Sequence, residues 1–373
     1  MSFVRILACT AWDLASFVAR HILCHFSYHV VDSARRLPGS FSPSSSSHSL
    51  YFFDLISVML FITCNRNAVC TFVLRKAPNL RASRELGQDE VVYGTYLSAD
   101  VQYEDHTDGH LDGIKMPNGD IFTIEADDNA SDVVKNAVRR DRWFEKHGGF
   151  ESGSSEIALT GTIDGSRFKI KSLPPKAKGK ANGHRRRLAV EGSKTVLVVR
   201  IINQGDTANS VTASATQLSD DVFGTNGDPV NLKSQYAACS HGKLNFSPAP
   251  DEISADPDAT NLVDGVTEVT VDVACSGSCD GSLRNAANAI IDRAFGNDVA
   301  DYVMFCMPTN SMGGIAYAWY YASDSVYSDN WCTYPSAQLH ELGHNLGLAH
   351  SNHGTWPCSS NSCTYGDQTG MMG

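Results

Sequence analysis

The stretch from His340 to His350 constrains the chain more than any other, because it reads H-E-x-x-H-x-x-G-x-x-H. Histidines four positions apart lie on one face of a helix, so the imidazoles of His340 and His344 can reach one metal ion. Gly347 can take the left-handed conformation that ends a helix and turns the chain back. That turn is expected to bring His350 to the same ion. The spacing therefore predicts a helix, a glycine turn and three metal ligands.

Three neutral imidazoles in a tetrahedral site leave a fourth position open for water, which is the arrangement of a catalytic zinc site. Glu341 follows the first ligand and can take a proton from that water. Leu339, Leu342 and Leu346 form a core-facing stripe, so an ordinary core helix would explain the helix itself. It would not explain the glutamate, the glycine and the third histidine together. We expect one catalytic Zn²⁺; Ca²⁺ is a possible second cofactor that no motif supports.

Acidic residues are concentrated in the half of the chain that carries this motif. From Leu188 onward there are 20 Asp and Glu residues against 6 Lys and Arg residues. Such a surface repels polyanions and argues against nucleic acid as a partner. The expected partner is a protein or glycoprotein substrate.

The 11 cysteines fall into two groups, with none between Cys70 and Cys239. The C-x-x-x-C spacing of Cys275 and Cys279 is too weak a signal for a metal site. Disulfides formed in an oxidising compartment are the favoured interpretation, and buried free thiols are the alternative. Seven cysteines lie from Cys239 onward, so one of them is free or pairs outside this group.

Residues 1–75 are interpreted as an N-terminal extension with a targeting segment. Leu50–Ile62 is an apolar run of about 13 residues, which suits the hydrophobic part of a signal peptide and is short for a membrane span. It lies far from Met1, so either translation starts later than Met1 or residues 50–74 form a signal anchor. The first interpretation predicts a secreted protein, and the second predicts membrane attachment through this segment alone. A disordered extension without function is the remaining alternative.

Residues 76–187 are expected to form a small, mostly β domain. The alternation of apolar residues predicts four strands: Val91–Val101, Gly119–Glu125, Ile157–Ile163 and Arg167–Ser172. Asp132 is predicted to cap a helix that runs to about Lys146, with Val133, Ala137, Val138 and Trp143 facing inward.

No catalytic group is predicted in residues 76–187. His106 and His110 are four positions apart, but Asp108-Gly109 between them is typical of a turn. These two histidines are therefore expected in a surface loop.

A basic, glycine- and proline-containing linker follows at Pro174–Leu188. Arg185, Arg186 and Arg187 resemble a processing site at its end. Cleavage there would make residues 76–187 a propeptide and residues 188–373 the catalytic domain. A charged hinge is the alternative.

Strand and helix patterns alternate through residues 188–373, as in a mixed α/β layer. Predicted strands are Thr195–Asn203, Leu244–Phe246, Val266–Val273, Tyr302–Met307, Gly314–Tyr321 and Val326–Trp331. Predicted helices are Thr212–Phe223, Asn231–Cys239 and Ser282–Phe295, and the metal-site helix begins near Pro335, whose missing N–H is harmless in a first turn.

The eleven-residue motif is the metzincin signature, so the chain resembles that clan of zinc endopeptidases. Tyr365–Gly373, which reads Y-G-D-Q-T-G-M-M-G, is similar to the Met-turn segment of the gametolysin family. Thr195–Arg200 and Cys239–Leu244 also resemble sequences of that family. This register identifies Met372 as the Met-turn methionine, with Met371 as the alternative.

The resemblance implies an α/β (α+β) metzincin-type catalytic domain, in which a mixed twisted sheet carries the active-site helix, preceded by a small β-rich propeptide. It also implies secretion as a zymogen, cleavage of hydroxyproline-rich wall and matrix glycoproteins of algae, and a hydrophobic floor at Met372 beneath the metal ligands.

Two departures from the family pattern accompany this resemblance. The sequence ends one residue after Met372, so we expect part of the S1′ wall to be missing from it. Residues 76–187 contain no cysteine, so inhibition by a cysteine switch cannot come from them. If these residues inhibit the enzyme, a carboxylate or simple steric cover must do so.

The expected function is zinc-dependent hydrolysis of peptide bonds. An extended peptide would pair with an exposed sheet edge at Gly314–Ala318, which makes Gly314, Ile315 and Ala316 the predicted substrate-binding residues. Asn345 is expected to face solvent without a role. The alternatives are a catalytically silent zinc-binding or matrix-interaction module and a non-peptidase zinc hydrolase such as an amidase.

Overall fold

The computed structural model describes residues 58–64, 70–76, 90–103, 108–140, 142–177, 190–205, 209–351 and 370–372. The chain divides into two compact units, residues 1–83 and residues 84–373. In the first unit, strands β1 (Val58–Cys64) and β2 (Cys70–Lys76) form an antiparallel hairpin. No helix in the described ranges is long and apolar enough to cross a membrane.

A closed five-stranded barrel begins the second unit. Its strands are β3 (Glu90–Gln102), β4 (Asp108–Lys115), β5 (Ile121–Ala126), β6 (Glu156–Asp164) and β7 (Arg167–Ile170). They are ordered β3-β4-β5-β7-β6, and β6 pairs back onto β3. Aromatic and aliphatic side chains fill the interior, among them Tyr96, Phe144 and Phe168, each fully buried. The strands expected from apolar alternation in this region are confirmed.

The helix expected over residues 132–146 is shorter than predicted. Helix α1 spans Asp132–Val138, and its N-cap is Ser131, whose hydroxyl accepts a hydrogen bond from the Val134 amide. Ala137 is buried and Val138 and Trp143 pack against the core as predicted, but Val133 is 70% exposed and Val134 packs inward in its place. A π-helical turn at Phe144–Gly148 follows, and it ends at Gly149.

The rest of the second unit is built on a mostly parallel sheet. Strands β8 (Gly192–Asn203), β10 (Leu244–Pro248), β11 (Val266–Val271), β12 (Tyr302–Met307) and β14 (Asp324–Ser328) run parallel to one another. The antiparallel strands are β9 (Asn209–Ser210) and β13 (Ala316–Trp319). All the described strands of the second unit belong to one mixed sheet of 12 strands.

Helices cover both faces of this sheet. Helix α4 (Asp280–Ala294) packs on one face, while α2 (Ala215–Phe223), α3 (Leu232–Cys239) and α5 (Pro335–Asn345) pack on the other. Alternate residues of β8 supply the two cores, with Val196 and Val198 facing α5 and Leu197 and Val199 facing α4. The expected mixed α/β architecture, in which the helix that carries the motif packs against the sheet, is confirmed.

Strand β3 joins the barrel to the parallel sheet. One side of β3 pairs with β4, and the other side pairs first with β6 and then, through Ala99–Gln102, with β13. The linker boundary predicted near Leu188 falls in residues 178–189, outside the described residues, and the strands on both sides of it share one sheet.

The described residues of the second unit form two disulfides, as the cysteine content predicts. Cys275 pairs with Cys279, and Cys306 pairs with Cys332, which attaches β12 to the 3₁₀ turn at Asp329–Thr333 before α5. Cys239 is an exposed free thiol. Cys358 and Cys363 lie outside the described residues.

Candidate metal centre

Helix α5 and the turn after it position the three histidines. The helix begins with Pro335 at its first turn, as predicted. It ends in a Schellman motif, in which Leu348 N–H donates to the Gly343 carbonyl and Gly347 N–H donates to the His344 carbonyl, both at 2.8 Å. Gly347 has φ = 85°, the left-handed conformation expected from the sequence. The chain therefore reverses toward the helix directly before His350.

The three imidazoles converge. His340 Nε2 lies 3.0 Å from His350 Nε2 and 3.2 Å from His344 Nε2. All three rings are buried, and the three candidate ligand atoms lie within 4.8 Å of one another. This is the one such group of three or more His, Cys, Asp or Glu residues in the part of the chain that the structure describes.

The opposite ring nitrogens determine the tautomers of two ligands. Met371 carbonyl lies 2.7 Å from His340 Nδ1, and the Leu348 carbonyl lies 2.8 Å from His344 Nδ1. A carbonyl can only accept, so each Nδ1 carries the proton and each neutral ring presents an unprotonated Nε2 to the centre. Lone pairs that face each other at 3.0–3.2 Å repel unless a cation lies between them. The donor set therefore fits a metal ion.

Burial keeps these rings neutral at physiological pH. It lowers the pKa of His340, lowers the pKa of His344 well below its usual value, and lowers the pKa of His350 to about 4. Neutral imidazole is the form that binds metals. The site is therefore ready to accept a cation without first losing protons.

The carboxylate of Glu341 is buried on helix α5. Its side chain is 1% exposed, and its Oε2 has no hydrogen-bond partner among the described residues. Burial, followed by the nearby charge of Asp100, raises its pKa well above the usual range. A buried polar atom without a partner is rare in folded proteins, and a water at the metal would satisfy it.

Met372 packs against Gly343 of the metal-site helix. A Cβ built at Gly343 would lie 2.7 Å from Met372 Sδ, so the thioether lies close to the helix backbone. The Met372 carbonyl accepts a hydrogen bond of 2.7 Å from Ser351 N–H. Met371 is 43% exposed and contributes its carbonyl instead. Residues 352–369, which include most of the proposed Met-turn pattern, lie outside the described residues.

The predicted substrate-binding edge is already paired. Gly314, Ile315 and Ala316 lie at the start of β13, where the Ile315 amide donates a hydrogen bond of 2.8 Å to the Gln102 carbonyl of β3. A Cβ at Gly314 would lie 2.5 Å from a Val101 methyl group. Strand β14 pairs with the other side of β13. Neither side of this strand is a free edge.

Asn345 is not solvent-facing as predicted. It is 4% exposed, and its side-chain amide donates to two backbone carbonyls of the sheet, those of Trp319 and Asp324. The prediction was wrong because the carbonyls that Asn345 binds are distant in the sequence, so no local pattern indicates them. They belong to the last residue of β13 and the first residue of β14, 26 and 21 positions before Asn345.

His110 is likewise not in a surface loop. It lies on β4, with Nδ1 3.0 Å from Asp100 Oδ1 and Nε2 3.3 Å from Asp112 Oδ1. Burial opposes its charge, but the bonds to Asp100 and Asp112 outweigh burial and raise the pKa of His110 to about 9. His106, its predicted loop neighbour, lies outside the described residues.

Asp100 is the residue near the centre that the sequence did not reveal. Its carboxylate is bound by His110 and Arg142 and accepts a hydrogen bond of 3.0 Å from the Tyr320 hydroxyl. Asp100 Oδ2 also lies 3.8 Å from His350 Nδ1. Burial acts to raise the pKa of Asp100, but these partners outweigh it and hold the pKa far below its usual range. No local pattern marks Asp100, because its partners at the centre lie more than 200 residues away.

The predicted processing residues Arg185, Arg186 and Arg187 lie outside the described residues. Comparisons of the chain with protein-family models, with curated proteins and with solved structures returned no match.

Proposed function

We propose that the chain is a zinc-dependent endopeptidase. The observation that carries the proposal is the convergence of three neutral imidazoles, together with a buried carboxylate on the same helix, Glu341, whose Oε2 has no partner among the described residues. Three histidines that leave a fourth position open are the ligand set of many catalytic zinc sites. The resemblance of residues 340–350 to the metzincin signature supports the same reaction and a metzincin-type fold of the gametolysin kind.

Each residue of the site has a role in this reaction. When bound, zinc supplies Lewis-acid polarisation of a peptide carbonyl and lowers the pKa of water to about 7. Glu341 accepts the water proton and then donates it to the leaving amine. The Met371 and Leu348 carbonyls keep His340 and His344 oriented as ligands.

The substrate class rests on the resemblance and on strand β13, which a peptide could pair with only after β3 leaves it. A peptide paired with Gly314, Ile315 and Ala316 would be extended and held through its backbone, which suits a protein substrate. Disulfides form in oxidising compartments, and the Cys275–Cys279 and Cys306–Cys332 pairs therefore support secretion. Extracellular or cell-wall proteins and glycoproteins are the proposed substrates.

The decisive experiment separates zinc binding from hydrolysis. Zinc content and the cleavage of gelatin or casein are measured on the full chain. Both are measured again after the chain has been cut within residues 178–189, at an inserted recognition site for a specific protease. That protease is removed before the second measurement. We expect one zinc per chain, and cleavage that a chelator abolishes. Glu341→Ala should retain zinc and lose cleavage, while Glu252→Ala, at an exposed carboxylate, should change neither.

Two results would contradict the proposal. One is that the unaltered chain holds no zinc after loading, or that the His344→Ala variant holds as much zinc as the unaltered chain. The other is a Glu341→Ala variant that still cleaves gelatin at the rate of the unaltered chain.

A further inference from the structure

Strand β3 occupies the place where a substrate strand would pair. Its residues Ala99–Gln102 run antiparallel to β13, and the pairing is closed by hydrogen bonds of 2.8 Å at both ends, from Ile315 N–H to the Gln102 carbonyl and from Tyr320 N–H to the Ser98 carbonyl. Because β14 fills the other side of β13, a peptide cannot add to this strand while β3 is in place.

The same strand brings a carboxylate to the metal centre. Asp100 lies in the middle of the paired segment, opposite Ala318, and is 8% exposed. Its Oδ2 accepts from the Tyr320 hydroxyl at 3.0 Å and lies 3.8 Å from His350 Nδ1. The ring of Tyr320 packs on that of His344, with 4.7 Å between the ring centroids. Asp100 is thus connected to two of the three ligands.

Side chains of the barrel and of the turn after α1 bind the Asp100 carboxylate. Arg142 and His110 both bind Asp100, and the Arg142 guanidinium lies over the Tyr320 ring, 5.7 Å from its centroid. Ser152 of the barrel donates to the Tyr320 carbonyl at 2.8 Å. Contacts therefore surround Tyr320, and they bind the barrel to the centre through side chains as well as through backbone pairing.

We propose that this arrangement is a latent state of the site, in which β3 fills the substrate-binding edge and Asp100 latches it to the Tyr320 and His350 side of the metal centre. The inference rests on the proposed function. The substrate-binding edge opens when β3 leaves β13. Loss of the Asp100 contacts weakens the attachment of β3 to the metal centre. The three ligands and Glu341 all come from α5 and the turn after it, so they stay together when β3 leaves.

The test measures access to the centre, using the full zinc-loaded chain and a fluorescent peptide hydroxamate as probe. Probe affinity and zinc content are compared for the unaltered chain, for Asp100→Ala and for Asp100→Asn. Asp100→Asn is isosteric and replaces Asp100→Ala in the comparison if Asp100→Ala does not fold. Asp112→Asn is the matched control, because Asp112 is equally buried and also binds His110 but lies on β4, away from the centre.

We expect both Asp100 variants to bind the probe about tenfold more tightly than the unaltered chain, because apparent affinity scales with the fraction of open molecules. Asp112→Asn should match the unaltered chain. Equal probe affinity in all variants, with zinc retained, overturns latency and leaves the proposed function standing. Zinc loss in the Asp100 variants as large as in His350→Ala would instead make Asp100 an orienting group of the centre, which also overturns latency. Zinc absent from every chain overturns the proposed function itself.

Discussion

The side-chain amide of Asn345 donates a hydrogen bond of 3.0 Å to the backbone carbonyl of Asp324. A second bond from the same nitrogen reaches the Trp319 carbonyl, also at 3.0 Å. These carbonyls flank the turn between β13 and β14, so the last residue of α5 is attached directly to the sheet. The attachment lies one residue after His344 and therefore sets the position of that ligand relative to β13.

Replacement of Asn345 should destabilise the fold. Asn345→Ala removes the donor to two buried carbonyls, and we expect a loss of about 2–4 kcal/mol in the free energy of unfolding. Urea denaturation measures this loss. Asn136→Ala, at an exposed position of α1, is the control and should change stability by less than about 0.5 kcal/mol. Similar stabilities for the two variants would contradict the role assigned to Asn345.

Gly347→Ala should displace His350. Any side chain there is strained at φ = 85°, and its Cβ would lie 1.9 Å from Tyr321 Cε1. Gly242→Ala is the matched control, because Gly242 has φ = 75° but open space around its Cβ. The control should lose only about 1–2 kcal/mol from backbone strain. Gly347→Ala should lose more and should also bind zinc more weakly, measured by competition with a chromogenic chelator; equal losses would contradict the steric argument.

Stability should fall as the pH rises from about 6.5 to about 9. The pKa of His110 is raised to about 9 in the folded chain, above its unfolded value near 6.5. The folded state therefore binds this proton more tightly, and the resulting stability is present below pH 6.5 and lost as the pH passes the folded pKa. The maximum effect is about 3 kcal/mol.

Unfolding curves at several pH values test this linkage. His110→Gln should flatten the profile between pH 6.5 and 9, whereas His241→Gln, at an exposed residue, should keep the slope of the unaltered chain. A slope that persists in His110→Gln would assign the pH dependence to other groups.

The two disulfides should contribute unequally. Cys306 and Cys332 are separated by 26 positions and Cys275 and Cys279 by 4, so the first pair restricts the unfolded chain more. Loop-closure entropy predicts a loss of about 3–4 kcal/mol for Cys306→Ala/Cys332→Ala and about 2 kcal/mol for Cys275→Ala/Cys279→Ala. Thermal unfolding of the two double variants gives the order, and the reverse order would contradict it.

The sequence predicted features that depend on near neighbours in the chain. The ligand histidines, the turn at Gly347 and the start of α5 at Pro335 follow from spacings of a few residues, and each lies where expected. Strands such as Tyr302–Met307 follow from continuous apolar runs in the same way.

Features that depend on distant residues were missed. Asp100 and Tyr320 are separated by 220 positions and Asn345 and Trp319 by 26, so no periodicity links them. On α1 only the prediction for Val133 was wrong, because burial there is decided by the barrel: Val134 packs into its core, and the neighbouring Val133 does not.

The continuity of β3 also has a consequence for biosynthesis. Protein synthesis proceeds from the N-terminus, and the last barrel strand ends at Ile170, so the whole barrel exists before β13 at Ala316–Trp319 is made. Residues Ala99–Gln102 of β3 are then paired with β4 on one side only, and their other side is an unpaired edge. Such an edge is a ready template for another strand. The first strand of the barrel is thus available to set the register of β13 as the second half of the chain emerges from the ribosome.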